Sequence, residues 1–180
     1  MHKITLLLFL IAGVLAYALF SFFGTYSECY EASTQVQSSY KDLVEQSDEL
    51  AMLSVKFGSL ALKYLPNSRA IANKMEKDVK NIRLANSVSE LAGSCGHLYL
   101  SIKKVISLLS YDINAAKNYH FQDAVLQFNK ITRDLSLVGK KYNYAAKKYN
   151  KTLQKPMPQF WRFLLDNKPA QLFKAKKNTS

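Results

Sequence analysis

The sequence has few of the residues that interrupt helices. Its 180 residues include only six glycines and four prolines, and no glycine-rich phosphate-binding loop occurs in the chain. A sheet with many tight turns requires glycine and proline, whereas abundant leucine, alanine and lysine favour helices. This composition predicts an all-α protein, with room for one domain once the hydrophobic N-terminus is set aside.

Residues suited to metal binding or nucleophilic catalysis are also scarce. Cys29 and Cys95 are too few for a disulfide framework, although an exported chain could join them in one bridge. The three histidines show no metal-binding spacing. His97 lies near Cys95 in sequence, but thiol activation needs both a base and an orienting group within hydrogen-bond reach. We therefore expect no enzyme activity, metal ion, cofactor or small-molecule substrate.

The longest apolar run is at the N-terminus. Residues 4–23 carry no charge, and a helix of that length, at about 1.5 Å per residue, spans about 30 Å, the thickness of a hydrocarbon core. We expect a transmembrane anchor over residues 1–24. The alternative is a signal peptide cleaved after Ala16-Tyr17-Ala18, which would leave an exported soluble protein. Because Lys3 precedes the run and no basic residue follows it before Lys41, we expect the remaining domain on the extracytoplasmic side.

Four long helices are predicted to form a bundle over residues 25–155. Apolar residues in steps of three and four predict a first helix over residues 36–64, ended by Pro66. A second helix is expected over residues 68–92, with Gly93-Ser94-Cys95-Gly96 as its end, and a third follows it. The short links imply antiparallel neighbours in an up-down bundle.

The fourth helix has the most regular pattern in the chain. Large apolar or aromatic residues recur every seven positions with smaller ones interleaved, which is typical of a coiled-coil seam. The large residues are Phe121, Phe128, Leu135, Tyr142 and Tyr149, and the interleaved ones are Ala124, Ile131, Val138, Ala145 and Thr152.

Two Tyr-Asn pairs stand one heptad apart in this fourth helix. Lys141-Tyr142-Asn143 and Lys148-Tyr149-Asn150 precede a proline-containing segment, and together they resemble the paired Tyr-Asn signature of the LemA family. The resemblance implies a single-pass bacterial inner-membrane protein with a long helical domain; the biochemical function of the family is not established. The chain departs from the family pattern where Ser27 follows Tyr26 and where Lys155-Pro156 stands in place of Phe-Pro.

The residues of the two pairs have different expected roles. Tyr142 and Tyr149 occupy seam positions, so we expect their rings in the core and their hydroxyls hydrogen-bonded. Asn143 and Asn150 lie one step off the seam. They would bind a neighbouring helix and fix its register, remain solvated, or form part of a ligand site.

The positive charge is concentrated at the C-terminus. The net charge is +12, and residues 140–180 hold eleven basic residues against one acid, which leaves +2 for the rest of the chain. If the first bundle helix rises from the membrane, the fourth returns to it, and a basic amphipathic tail over residues 156–180 follows. Basic and aromatic residues here are candidates for docking on anionic lipid headgroups. They are Lys147, Lys148, Lys151, Lys155, Trp161 and Arg162.

These features favour a non-enzymatic, membrane-anchored interaction or scaffold protein with a protein partner of unknown identity. The basic cluster also suits phosphate groups, so nucleic-acid binding is the alternative. An extracytoplasmic location would exclude that alternative.

Overall fold

The computed structural model describes residues 2–154 and 168–174, and this part of the chain is all-helical. A single helix, α1, runs without a break through residues 24 and 25, where we place the end of the anchor and the start of the bundle domain. The helices are α1 (His2–Tyr64), α2 (Arg69–Arg83), α3 (Val88–Tyr111), α4 (Ile113–Ala116) and α5 (Tyr119–Leu153).

The contacts divide the chain into two compact units. Unit 1 consists of Met1–Gln37 and Ala145–Ala170, and unit 2 consists of Ser38–Tyr144 and Gln171–Ser180. Both α1 and α5 contribute residues to each unit, whereas α2, α3 and α4 belong to unit 2.

Within unit 2, α1 buries the predicted stripe. Leu43, Leu50 and Phe57 are fully buried, and Ser47, which fills the gap in the stripe, satisfies its hydroxyl by donating to the Leu43 carbonyl oxygen at 2.7 Å. The helix ends at Tyr64, as Pro66 predicts. The turn beyond it places Asn67 at a φ of 62°, a left-handed conformation that asparagine adopts more readily than most residues.

The predicted boundary between the second and third helices is wrong. Helix α2 ends at Arg83, and α3 begins at Val88 and continues through Gly93 and Gly96. Ser87 starts α3, because its Oγ accepts a hydrogen bond from the Glu90 backbone N–H at 3.2 Å. The Glu90 carboxylate in turn accepts from the Asn86 N–H at 2.9 Å. This reciprocal arrangement is close to a capping box, and its Ser-x-x-Glu signal outweighs the two glycines.

The short helix α4 was not predicted from the pattern. Asp112 starts it, since one carboxylate oxygen accepts from the backbone N–H groups of Asn114 and Ala115 at 2.9 and 2.8 Å. An aspartate in this position satisfies donors that the first turn leaves without partners. Helix α4 packs against α3, which in turn packs against α2.

Helices α1 and α5 run antiparallel in unit 2, as predicted. Lys141 forms an ion pair with Asp42 at 2.7 Å, Lys56 donates to Gln127 at 3.0 Å, and further along α1 Asn118 donates to the Tyr64 hydroxyl at 2.9 Å. Residue numbers thus rise along α1 while those of the facing residues fall from 141 to 118, at the start of α5. The α5 seam is largely buried: Phe121, Ala124, Phe128, Leu135, Tyr142, Ala145, Tyr149 and Thr152 are buried, while Ile131 and Val138 are half-buried.

Unit 1 has a small core of its own. Tyr149 of α5 packs with Cys29 and Ala32 of α1, and the partly buried side chains of Val36, Leu153 and Ala170 complete the cluster. On its solvent side, Lys148 Nζ donates to Gln35 Oε1 at 3.4 Å.

The part of α1 that lies nearest the N-terminus is different. It is the one stretch among the described residues that is long and apolar enough to cross a membrane, with a mean hydropathy of 2.0 and none of it buried. Its rings are among the most exposed apolar groups of the chain, with 82% of Phe20 and 76% of Phe9 accessible. Such a surface is unfavourable in water.

Candidate functional site

The two tyrosines of the Tyr-Asn pairs are buried, as predicted. Only 2% of Tyr142 is exposed, and its hydroxyl donates to the Gln171 carbonyl oxygen at 2.9 Å. Its ring centroid is 6.2 Å from that of Tyr40 on α1. Burial, and secondarily Tyr40, raises the pKa of the Tyr142 hydroxyl. Burial likewise raises the pKa of Tyr149 in the unit 1 core, so both hydroxyls stay protonated at neutral pH.

Asn143 binds the main chain of Phe173 in both directions. Its Nδ2 donates to the Phe173 carbonyl oxygen at 2.8 Å, and its Oδ1 accepts from the Phe173 N–H at 2.7 Å. Both atoms of the side-chain amide are therefore used, and both main-chain groups of one residue are satisfied. This role matches none of the three that the sequence left open: the partner is not a helix, water or an added ligand, but the C-terminal segment of the same chain.

Asn150 makes the same pair of bonds in unit 1. Its Nδ2 donates to the Ala170 carbonyl oxygen at 2.9 Å, and its Oδ1 accepts from the Ala170 N–H at 2.7 Å. Asn150, like Asn143, thus binds only the main-chain groups of its partner residue. The two asparagines thus act by one chemistry at two places.

The distance between the two asparagines along α5 is similar to the greatest length that the chain between their two partner residues can span. Seven helical residues separate Asn143 from Asn150 and rise about 10.5 Å. Three residues separate Ala170 from Phe173, and a chain segment of that length spans at most about 10–11 Å. The segment over residues 168–174 has no helical or strand structure, and we call it the C-terminal strap.

Phe173 is the one buried side chain of the strap, with 7% of it exposed. Its ring lies against α5 at Gly139, where a Cβ atom would stand 3.0 Å from ring atom Cδ1. A side chain at position 139 would therefore require the ring to shift by a few tenths of an ångström. Phe173 also lines a groove of about 570 Å³, together with Tyr99, Asn129, Arg133 and Asn143.

Gly139 and Phe173 are site residues that sequence reasoning missed. A signal for the strap does exist, because Pro169 fixes its own φ and disfavours a helical conformation at Lys168. The apolar Leu172 and Phe173 then follow in an otherwise basic stretch. No periodicity links these residues to α5, so the partner of the strap is not predictable from pattern.

Cys95 is a free, buried thiol in unit 2. Burial raises its pKa to about 11, although a hydrogen bond with Ser47 opposes the shift. The thiol is therefore protonated near neutral pH and is not activated as a nucleophile. Burial also raises the pKa of Asp78, and electrostatic interactions with His97, Lys74 and Lys77 oppose that rise.

Among residues 2–154 and 168–174, no group of three or more histidine, cysteine or acidic side chains is placed to hold a metal ion. Lys147, Lys148 and Lys151 are exposed on the last turns of α5. The other docking candidates, Lys155, Trp161 and Arg162, lie outside the described residues.

Comparison with known proteins found no matching family model and no matching curated protein. The resemblance to the LemA family stays a prediction that depends on the Tyr-Asn pairs and the order of parts.

Proposed function

We propose that this chain is a non-enzymatic, membrane-anchored interaction protein, whose helical bundle is held to a bilayer by α1 and by the basic end of α5. The observation that carries the proposal is the exposed apolar surface at the start of α1, where none of the most hydrophobic window is buried. Removing such a surface from water contributes roughly 25 cal/mol per Å². A lipid bilayer provides that environment over the required length.

The unit 1 core supports the second attachment. Tyr149 packs on Cys29, which is six residues beyond Phe23, the last residue of the apolar run, or about 9 Å along the helix. The end of α5 therefore lies close to where α1 leaves the hydrocarbon. Headgroup layers add about 5–7 Å on each side of the core, and electrostatic attraction extends about 8–10 Å further at physiological salt.

Three lysines project from this end of α5. Lys147, Lys148 and Lys151 are exposed, and a lysine near an anionic surface contributes about 1 kcal/mol. The sequence adds Lys155, Trp161 and Arg162 beyond the helix, with the residue types that interfacial segments use. Under this proposal the bundle stands on the membrane at two points and presents its remaining surface to a protein partner.

Amine footprinting in vesicles tests the lipid contact. The full chain is reconstituted in phosphatidylcholine vesicles with or without phosphatidylglycerol, and acetylation of each lysine is followed by mass spectrometry. Lys147, Lys148 and Lys151 should react about fivefold more slowly in the anionic vesicles. Exposed lysines of α2 and α3, Lys77 and Lys103, are internal controls and should not change. Equal rates for all five lysines in both vesicles would contradict the docking.

Two simpler measurements test the anchor and its orientation. Intact mass of the protein from cells decides between the retained anchor and cleavage after Ala18, since cleavage removes the apolar run. Reporter fusions at the C-terminus decide the side of the membrane, which we propose is extracytoplasmic from the position of Lys3. A cytoplasmic C-terminus would instead favour the nucleic-acid alternative for the basic cluster.

A further inference from the structure

In unit 2 the strap is held by hydrogen bonds to its main chain and by the packing of one aromatic ring. Asn143 uses both amide atoms on Phe173, and Tyr142 donates to the carbonyl oxygen of Gln171. None of these hydrogen bonds involves a strap side chain. The ring of Phe173 against Gly139 is the one buried side-chain contact. The arrangement is that of a peptide held by main-chain bonds with a single anchoring side chain.

Most of the strap is solvent-exposed. Lys168, Pro169, Gln171 and Lys174 are all exposed, and Leu172 is half-buried. Local opening is favoured where few apolar groups are buried and where backbone bonds lie near solvent. The strap has the properties of a bound ligand more than those of a core element.

We propose that Tyr142, Asn143 and Gly139 form a peptide-binding site on α5, and that this site exchanges its own strap for the strap of a second copy of the chain. A second copy is the occupant that fits, because it presents the same main-chain groups and the same phenylalanine and so makes every contact seen here. The inference does not depend on lipid docking by the lysines.

Complementing variants of the full chain test the exchange. Asn143→Ala weakens the site by two hydrogen bonds but keeps a complete strap, whereas Phe173→Ala weakens the strap but keeps the site. Each variant is prepared with two different affinity tags in detergent, and copurification is measured for every pairing. Mixed pairs should copurify about tenfold more than pairs of the same variant, because only a mixed pair brings together an intact site and a displaced intact strap.

A matched control replaces an asparagine that has no such contact. Asn81 is exposed on α2, and Asn81→Ala leaves both site and strap intact within one chain. Its pairing with Phe173→Ala should copurify less than the pairing of Asn143→Ala with Phe173→Ala. Circular dichroism of each variant must show the helicity of the unchanged chain, so that a difference in pairing is not a difference in folding.

A labelled peptide with the sequence of residues 168–174 provides a second measurement that needs no pairing of copies. Fluorescence anisotropy should show saturable binding to the full-length Phe173→Ala chain. A peptide with alanine in place of phenylalanine should bind about tenfold more weakly, since one buried aromatic ring is lost. Peptide binding without copurification would overturn the exchange between copies, and absence of both would overturn the site itself.

Discussion

Replacing Asn143 by alanine should loosen the strap in unit 2 without unfolding the bundle. The substitution removes two hydrogen bonds, of 2.8 and 2.7 Å, to the main chain of Phe173. The helix itself should tolerate the change, because alanine is the best helix former and Asn143 is only half-buried. The effect should therefore appear in the strap and not in the helicity.

The magnitude follows from the number of bonds. A hydrogen bond of this kind contributes about 0.5–1.5 kcal/mol net, so losing two lowers the free energy of strap opening by about 1–3 kcal/mol. Since 1.36 kcal/mol is a factor of ten, the open population should rise about five- to 150-fold. The Tyr142 hydroxyl bond to Gln171 and the Phe173 ring remain, so the strap stays partly closed.

Hydrogen exchange of the Phe173 amide measures this directly. The amide donates to Asn143 Oδ1, so its exchange should accelerate by the factor above, while amides in the middle of α3 keep their rates. Asn81→Ala on the exposed face of α2 should leave the Phe173 amide unchanged. If Asn143→Ala also leaves it unchanged, the asparagine does not hold the strap and the reasoning fails.

Three further outcomes follow from single contacts. Ser87→Ala removes the cap of α3 and should lower the free energy of unfolding, measured by thermal denaturation, by about 1 kcal/mol. Ser89→Ala, two residues further along and exposed, should lower it far less. Gly139→Ala should speed amide exchange at Phe173, because the new Cβ meets its ring at 3.0 Å, yet slow exchange within α5, because alanine favours a helix by about 1 kcal/mol. Cys95, with a pKa of about 11, should resist iodoacetamide at neutral pH in the folded chain and react once denatured, with native reactivity rising as pH rises toward that pKa.

Periodicity predicted the long helices because each of them buries one face. The stripe of α1 around Leu50 and the seam of α5 around Phe128 meet in unit 2, where the rings of Phe57 and Phe128 stand edge to face at 6.1 Å. A helix that packs against a single layer repeats its buried residues at fixed steps, so a pattern in one sequence is enough to place it. The antiparallel order then follows from short connections.

The predicted boundary between α2 and α3 was wrong because the sequence pattern was interpreted incorrectly at two positions. The prediction continued one helix over residues 68–92, but Leu84 lies in the link between two helices and 73% of it is exposed. It also treated Gly93 as a break, although open space surrounds the position where its Cβ would lie. Glycine weakens a helix by only about 1 kcal/mol, and packing of Leu91 and Leu98 outweighs that cost. A local capping signal at Ser87 was better evidence than composition.

The strap contacts could not be predicted from a residue pattern, because the groups that α5 binds in the strap belong to the main chain. An amide that binds a backbone imposes no residue type on the other side, so Asn143 has no complementary side chain to search for. What the sequence does record is the interval of seven. Seven residues return a helix to nearly the same face, which is why a residue beside one seam tyrosine recurs beside the next. Each asparagine binds the main chain of one residue in its own unit: Phe173 for Asn143 and Ala170 for Asn150. The heptad of the Tyr-Asn pairs therefore repeats both a buried tyrosine and an asparagine that binds main chain, and it carries no information on which main chain is bound.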